Sequence, residues 1–227
     1  MATARTARTQ QASSDIARRR MERRLASGRK SDARWREVLE GAARVFQRLG
    51  YPQTTLEDVA NEVGINRATL YYYVGTKEEL LVSLLHQPIE ALRAGLEEIV
   101  TRQLSATEKL TEALRAYVTA MQQRPELFIF VGENIHKVMS GDEANDIQDN
   151  ADRWGRLMAG VIAEGQQQGE FRSDIDPRLA TLAISGMFNW TYRWYDPGGR
   201  MPLSQIGEVF IELALSSLSP AAADRPR

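Results

Sequence analysis

Apolar residues recur at helical spacing in nearly every segment from residue 33 onward, and this pattern limits the fold more than any other feature of the chain. In residues 33–49, for example, Val38, Ala42 and Val45 follow one another at intervals of four and three, which places them on one face of a helix. No segment shows the alternation of apolar and polar residues that is typical of a half-buried strand. The sequence therefore predicts an all-α protein.

Helix-capping and helix-breaking residues divide this pattern into about nine helices. Gly50 and Pro52 end the first helix, and Thr55 can cap the second, with Asp58 three residues later as in a capping box. Another helix is expected to start at Pro177, because proline suits the first position of a helix. The expected helices span residues 33–49, 55–63, 67–73, 76–103, 106–123, 125–139, 143–168, 177–195 and 204–218.

The composition excludes several kinds of site. The chain has no cysteine, so neither a disulfide nor a thiolate metal site can form. Its two histidines, His86 and His136, lie far apart, and the sequence has no glycine-rich phosphate loop, nucleophile elbow or paired-histidine helix. No apolar run approaches the roughly 20 residues that a bilayer-spanning helix needs. We therefore expect a cytoplasmic protein that is not an enzyme, holds no metal or cofactor and does not enter a membrane.

Basic residues are concentrated at the N-terminus. Residues 1–34 hold ten basic and three acidic residues, a net charge of +7, whereas the rest of the chain holds 19 basic and 27 acidic residues, a net charge of -8. A basic arm on an acidic body indicates a polyanionic partner for the arm. The alternative is a solvated, disordered tail.

Residues 54–77 read as a helix, a tight turn at Gly64 and a second, short helix, which is a helix-turn-helix pattern. In such a motif the N-terminal residues of the second helix enter the major groove of DNA. Leu70 is the expected inward anchor, which turns Arg67, Ala68 and Thr69 outward. An arginine can pair with a guanine edge, and an alanine can touch a thymine methyl group. The motif therefore predicts that the short helix reads base sequence.

Other side chains of this motif suit the DNA backbone rather than the bases. Thr69 can reach a phosphate, and the hydroxyls of residues 71–73 and the amine of Lys77 suit the same role, which holds register without reading sequence. The basic arm just before the motif is expected to follow the phosphates or to enter the minor groove. For Tyr71 or Tyr73 the alternative is packing within the motif.

Residues 36–81 resemble the DNA-binding domain of TetR-family transcription regulators, although Val74 stands where the family often has Phe. The matching elements are Ala42-Ala43 with Phe46, Gly50-Tyr51, Thr54-Thr55, Val59-Ala60, Gly64-Ile65, Ala68-Thr69-Leu70-Tyr71 and Lys77-Glu78-Glu79-Leu80. Carried over by position, the resemblance implies DNA contacts at Thr55, Arg67, Ala68, Thr69, Tyr71, Tyr72, Tyr73 and Lys77. It also implies that the partner is a double-stranded operator, bound by a homodimer.

The helices after residue 80 carry more apolar and aromatic side chains than a solid bundle needs. Methionine and tryptophan suit an adaptable apolar pocket between helices, and an arginine beside such a pocket can bind a carboxylate or a phosphate. The candidate ligand-binding residues are Tyr117, Met121, Phe128, Trp154, Met158, Met187, Asn189, Trp190 and Arg193. For each apolar candidate the alternative is a place in the core, and for Arg193 it is an ion pair with Asp196.

The resemblance implies that this half binds a ligand and that its last two helices form the dimer. The expected interface residues are Leu182, Ile184, Phe188, Val209, Phe210, Leu213 and Leu215. Residues 163–172 and 193–199 are similar to stretches of family members that respond to acyl-CoA thioesters in fatty-acid or steroid breakdown. The effector implied is a small apolar or acyl-CoA-like, lipid-derived compound.

The sequence thus predicts a ligand-responsive repressor that binds a pseudo-palindromic operator as a dimer. We expect a basic, partly disordered arm at 1–32, a helix-turn-helix domain at 33–80, a helical ligand-binding and dimerisation domain at 81–218 and a disordered tail at 219–227. The alternatives are a DNA-binding regulator with no small-molecule effector and an architectural DNA-binding protein. The acidic body argues against the architectural role, because it repels DNA outside aimed contacts.

Overall fold

The computed structural model describes residues 29–132 and 142–220, which form nine α-helices, one short 3-10 helix and no strand. This confirms the all-α prediction. The helices are α1 (Arg29–Leu49), α2 (Leu56–Val63), α3 (Arg67–Tyr73), α4 (Lys77–Thr101), α5 (Ala106–Gln123), α6 (Leu127–Gly132), α7 (Asp142–Gln167), α8 (Pro177–Asn189) and α9 (Leu203–Leu218), with the 3-10 helix at Trp190–Arg193.

The predicted helix boundaries agree with the structure within a few residues at most ends. Helices α3 and α5 match their predicted spans at both ends. Helix α1 begins four residues earlier than predicted, so residues 29–32 of the expected basic arm belong to it. The rest of that arm, the second half of the expected helix 125–139 and residues 221–227 of the expected tail lie outside the described residues.

The helix that begins at Pro177 is shorter than predicted. It ends at Asn189 instead of Tyr195, and the chain continues as the 3-10 helix. The Trp194 N–H bonds to the carbonyl of Thr191, three residues earlier, which is the tighter pattern of a 3-10 turn. Side chains beyond Asn189 therefore do not keep the α-helical register that the sequence predicted for them.

The chain divides into two units within α4, between Gln87 and Pro88. The first unit contains residues 29–87 and 142–147. Within it α1 lies close to α2, since a Cβ atom on Gly41 would come within 2.3 Å of the Val63 side chain. The core of this unit includes the fully buried side chains of Val38, Phe46, Val59, Leu70, Leu80 and Leu81.

The second unit contains residues 88–132 and 148–220. Helices α5 and α9 pack closely there, because a Cβ atom on Gly207 would lie 2.7 Å from the Val118 side chain. Helix α7 is tied to α5 by Lys109, whose buried amine contacts both carboxylate oxygens of Glu164, at 2.8 and 3.0 Å. The two contacts place α7 and α9 beside α5.

The segment that follows α7 fastens the end of α7 to the start of α5. Gly169 turns the chain with a positive φ of 76°, which favours glycine. The Glu170 carboxylate then accepts hydrogen bonds from the N–H groups of Ala106 and Thr107 and from the Thr107 hydroxyl, at 3.1, 2.9 and 2.7 Å. A carboxylate at a helix N-terminus satisfies free N–H groups and complements the helix dipole.

Candidate DNA-contact surface and ligand cavity

The first helix of the predicted helix-turn-helix begins with the capping box that the sequence predicted. Thr55 accepts a hydrogen bond from the Asp58 N–H at 3.2 Å, and Asp58 accepts one from the Thr55 N–H at 2.8 Å. The Thr55 hydroxyl and backbone hydrogen bonds hold the pKa of Asp58 below its ordinary value. Thr55 therefore caps α2, and its side chain is exposed at the start of that helix.

The turn between α2 and α3 also has the predicted chemistry. Gly64 is left-handed, with φ 68° and ψ 37°, and ends α2. Asn66 caps α3 by accepting hydrogen bonds from the N–H and the hydroxyl of Thr69, at 2.7 and 2.9 Å. Leu70 is fully buried and Arg67 and Ala68 are exposed, which confirms the predicted orientation for these three residues. Thr69, also expected to face outward, is half-buried.

Arg67 is the exposed cation at the leading end of α3. Its Nη2 donates a hydrogen bond to the Tyr71 hydroxyl at 3.0 Å, and its Nη1 lies 3.9 Å from a carboxylate oxygen of Glu57. The hydrogen bond to Tyr71, with a smaller contribution from Glu57, raises the pKa of Arg67 above its ordinary value. Because these contacts are exposed and weak, the guanidinium can exchange them for a base edge or a phosphate.

The three consecutive tyrosines differ in their surroundings. Tyr71 and Tyr72 are exposed, with 37% and 52% of their surface accessible. Tyr73 is half-buried and stacks on Trp35 of α1, with ring centroids 6.0 Å apart and planes 17° apart. Tyr73 thus packs within the motif, in line with the alternative given for it, while Tyr71 and Tyr72 are available to DNA.

Lys77 has a structural partner within the first unit. Its Nζ donates hydrogen bonds to the carbonyls of Tyr51 and Pro52, at 2.8 and 3.1 Å, and lies 4.5 Å from the centre of the Tyr51 ring. The predicted phosphate contact would have to use the one remaining N–H of the ammonium group, because two of its three are committed. Lys77 anchors the start of α4 to the loop after α1.

A cavity of about 610 Å³ lies in the second unit, which is within the usual size range for small-molecule sites. Residues from α4, α5, α6, α7 and α8 form its walls. Most of these are apolar or aromatic, and the polar groups are few. The described residues that line it and can carry charge are Asp152, Arg156 and Arg178.

Four of the nine predicted ligand-binding residues line this cavity, namely Tyr117, Met121, Trp154 and Asn189. The structure does not bring the other five, Phe128, Met158, Met187, Trp190 and Arg193, into its lining. Met158 is buried in the core, and Phe128 stacks on Tyr195 with ring centroids 6.3 Å apart.

Trp190 and Arg193 follow the last residue of α8 and lie outside the cavity lining. Trp190 is 60% exposed, and the Arg193 guanidinium lies 5.7 Å from the Trp190 ring centre and 5.8 Å from that of Tyr192. This stacking on aromatic rings differs from both roles considered for Arg193, a ligand contact and an ion pair with Asp196.

Sequence reasoning missed the two cavity arginines. Arg156 lies in α7 and Arg178 in the first turn of α8, and both are exposed. Neither forms an ion pair with another residue of the described ranges, so both cations are available to a ligand. Charged residues on amphipathic helices are usually solvated, so no pattern in the sequence distinguished these two from the rest.

Helices α8 and α9 expose a set of large apolar side chains, which we call the apolar face. It consists of Leu179, Leu182, Val209 and Leu213, which are 61%, 63%, 47% and 53% exposed. Of the expected interface residues, Ile184 and Phe188 are instead buried in the core of their own chain, with exposures of 5% and 4%. These two positions face inward on α8, which corrects the prediction for them.

Two family descriptions match the chain. Residues 38–84 match "Bacterial regulatory proteins, tetR family", and residues 103–218, about half of the chain, match "Tetracyclin repressor-like, C-terminal domain". The chain belongs to the TetR family. The first match covers the helix-turn-helix from α1 to the start of α4, and the second covers the helices from α5 to α9 that form most of the cavity wall and the apolar face.

Among relatives within this family, the HTH-type transcriptional repressor KstR2 of Mycobacterium tuberculosis is 27% identical over 183 residues, which cover 81% of this chain and 92% of KstR2. A solved structure of KstR2, a ketosteroid transcriptional regulator, covers 82% of this chain and 95% of that one with a TM-score of 0.75. The fatty acid metabolism regulator protein of Bacillus subtilis is 23% identical over 186 residues, 82% of this chain and 95% of that protein.

The solved structure of AibR with isovaleryl coenzyme A and operator DNA has the same fold, with a TM-score of 0.69 at 24% identity over 79% of this chain and 97% of AibR. None of the helices in the described part of the chain combines the length and apolar character that a membrane span requires.

Proposed function

We propose that this TetR-family protein is a ligand-responsive transcriptional repressor, not an enzyme, which binds a two-fold operator as a dimer and leaves it when a small apolar anion binds. The observation that carries the proposal is the exposed, permanently charged Arg67 at the capped start of α3, on a helix anchored by the buried Leu70. A short helix with one buried anchor and an exposed cationic end suits insertion into the major groove.

Contacts to DNA divide into those that read bases and those that hold the backbone. Arg67 and Ala68 would meet base edges, since arginine prefers guanine and a methyl side chain suits thymine. The exposed hydroxyls of Tyr71 and Tyr72, with Thr55 and Thr69, would contact phosphates. The basic arm would add sequence-independent affinity that falls with salt.

A second copy would cover the apolar face of α8 and α9. Four large aliphatic side chains are exposed on these two helices, and their burial against the same residues of a partner would stabilise a two-fold dimer. Two α3 helices would then lie about one DNA turn apart, roughly 34–36 Å, as two-fold helix-turn-helix dimers require.

The effector would occupy the cavity of the second unit. Its apolar walls suit a hydrophobic body, and Arg156 and Arg178 suit a carboxylate or phosphate group. An acyl-CoA or another lipid-derived acid carries both features. The likeness of residues 163–172 and 193–199 to regulators of fatty-acid and steroid breakdown supports the same class, as does the ketosteroid regulator KstR2 among the relatives.

Helix α4 is the proposed link between effector and operator. Ile89 and Leu92 on this helix line the cavity, while Lys77 at its start holds the Tyr51 and Pro52 carbonyls. A ligand that binds better to one position of α4 than to another shifts the population of the two states. The state favoured by the effector would be the one whose α3 helices no longer match the operator spacing.

The direct test of DNA recognition is selection of binding sites from a random duplex library by the full-length protein, followed by footprinting. We expect an enriched pseudo-palindrome and a footprint on both half-sites. Recovery of random sequence, with uniform protection of any duplex, would support an architectural role and contradict the proposal. Native mass spectrometry of the freshly purified protein would report the subunit count and the mass of any co-purified effector.

A further inference from the structure

The cavity contains one polar pair set among aromatic rings, Tyr117 of α5 and Asn189 at the end of α8. The Tyr117 hydroxyl donates a hydrogen bond to the Oδ1 atom of Asn189. Around it, the Trp154 ring centre lies 5.5 Å from that of Tyr117, and the Phe188 ring meets it edge-on at 6.2 Å. These contacts from α7 and α8 hold the tyrosine ring in place, so the position of the pair is fixed.

The pair has unused hydrogen-bonding capacity. Since Asn189 accepts through Oδ1, its amide nitrogen keeps two N–H donors, and the tyrosine oxygen keeps lone pairs. Burial raises the pKa of Tyr117 above its ordinary value, so its hydroxyl stays protonated. Both residues line the cavity, where a bound apolar molecule would exclude water from these groups. A donor that loses water without gaining a partner costs binding free energy.

Asn189 of the polar pair and Arg178 lie at different heights along the same face of α8. Along α8, Arg178, Leu182, Ser185 and Asn189 all line the cavity and follow the spacing of one helical face. Arg178 and Asn189 are eleven residues apart, so their backbones are separated by about 16 Å along the helix axis at 1.5 Å per residue. The cation and the amide donors therefore lie at opposite ends of the same wall.

We propose that Tyr117 and Asn189 select effectors that carry a carbonyl or hydroxyl oxygen on their apolar body, toward the opposite end of the α8 wall from the anionic group held at Arg178. This rests on the proposed effector site and narrows its ligand class from apolar acids to oxygenated apolar acids. A plain saturated acid of the same length fills the cavity but leaves the amide donors without a partner. A site built to satisfy a polar group rejects the analogue that lacks it.

The test measures calorimetric affinity of the full-length protein, without DNA, for matched ligand pairs. One pair is dodecanoic acid and its terminal hydroxyl derivative, and the other is cholanic acid and its ketone at the ring end opposite the carboxylate. We expect the oxygenated member of at least one pair to bind about tenfold more tightly. Because no DNA is present, the measured ligand preference does not depend on whether the protein recognises an operator.

Two variants distinguish the polar pair from the anion site. Tyr117→Phe combined with Asn189→Leu removes both polar groups while keeping similar volumes, and we expect it to abolish the preference while the parent acid still binds. Arg178→Met should weaken both members of a pair by a similar factor and leave their ratio unchanged. No preference for the oxygenated member in either pair, no binding of any of the four acids, or a preference that survives in the double variant would overturn the proposal.

Discussion

Arg67 is the single residue on which the proposed base recognition depends most, because it is the exposed cation at the leading end of α3. Its guanidinium contacts Tyr71 and Glu57 and remains exposed. Ala68 beside it is exposed and small, while Leu70 is fully buried. Base recognition would thus depend on one or two side chains, and the surrounding hydroxyl groups would hold the helix on the backbone.

We predict that Arg67→Ala weakens binding to the selected operator by about 1–3 kcal/mol and relaxes the preference at one base position in each half-site. The measurement is a binding profile across all single-base variants of that operator. Arg115→Ala, which removes an exposed arginine of the second unit, is the matched control and should leave the profile unchanged. A profile of Arg67→Ala that keeps every preference would show that this arginine does not read bases.

Residues whose environment is set by near neighbours in sequence could be predicted, and those set by packing could not. Thr55 and Asn66 cap helices through hydrogen bonds to residues three positions away, so the sequence identified both. Arg156 and Arg178 lie on the consecutive helices α7 and α8, and only the packing of these helices brings both arginines to one cavity. Trp190 and Arg193 were misplaced because the change from α-helix to 3-10 helix at Asn189 leaves no clear mark in the sequence.

At the level of elements, the segment after α7 resembles stretches of related regulators, and in this structure it joins the end of α7 to the start of α5. Gly165 leaves room for the buried Phe171 ring, Gly169 turns the chain, and Glu170 caps α5. The sequence marked this segment as a sign of kinship but not as a contact between α7 and α5, because that contact joins residues more than 60 positions apart.

We predict that Gly165→Ala destabilises the protein by about 1–3 kcal/mol, as overpacking does. A Cβ atom there would lie 2.2 Å from the Phe171 ring and 2.9 Å from the Ala106 Cβ atom. Gly160→Ala, in the same helix with nothing within 4 Å of the added atom, should instead stabilise it by about 0.5–1 kcal/mol. Chemical denaturation of the two variants measures both, and equal shifts would contradict the packing argument.

The cap at Glu170 predicts a pH dependence of stability. Burial alone would raise the pKa of this carboxyl, but hydrogen bonds from Thr107 and Ala106 and the nearby charge of Lys109 outweigh it and lower the pKa below 4.5. Because the folded pKa is lowered, the ionised cap stabilises the protein above pH 4.5, and this contribution is lost as the pH falls through the folded pKa.

We therefore expect Glu170→Gln to lower the free energy of unfolding by about 1–2 kcal/mol at neutral pH. The difference from the wild-type protein should shrink steadily as the pH falls below the ordinary carboxyl value. Denaturation curves at several pH values provide the measurement. A difference that is the same at neutral and acidic pH would mean that the charge of Glu170 has no part in the cap.

For the whole molecule, the proposed dimer brings two copies together through the apolar face of α8 and α9. We predict that Leu213→Asp shifts the protein from dimer to monomer in sedimentation experiments and lowers operator affinity, because a carboxylate would have to lose its water in the interface. Thr119→Asp, which adds the same charge at an exposed position of α5, should leave the dimer intact. A Leu213→Asp protein that remains fully dimeric would place the interface elsewhere.

The central claim is that occupation of the cavity lowers affinity for the operator, and fluorescence anisotropy with a labelled, selected operator tests it directly. The titration compares protein alone with protein saturated by a ligand that calorimetry has shown to bind the cavity and whose affinity Arg178→Met reduces. We predict that the saturated protein binds the operator at least tenfold more weakly, within the usual range of allosteric coupling. An operator affinity that is the same with the cavity filled and with the cavity empty would contradict the account.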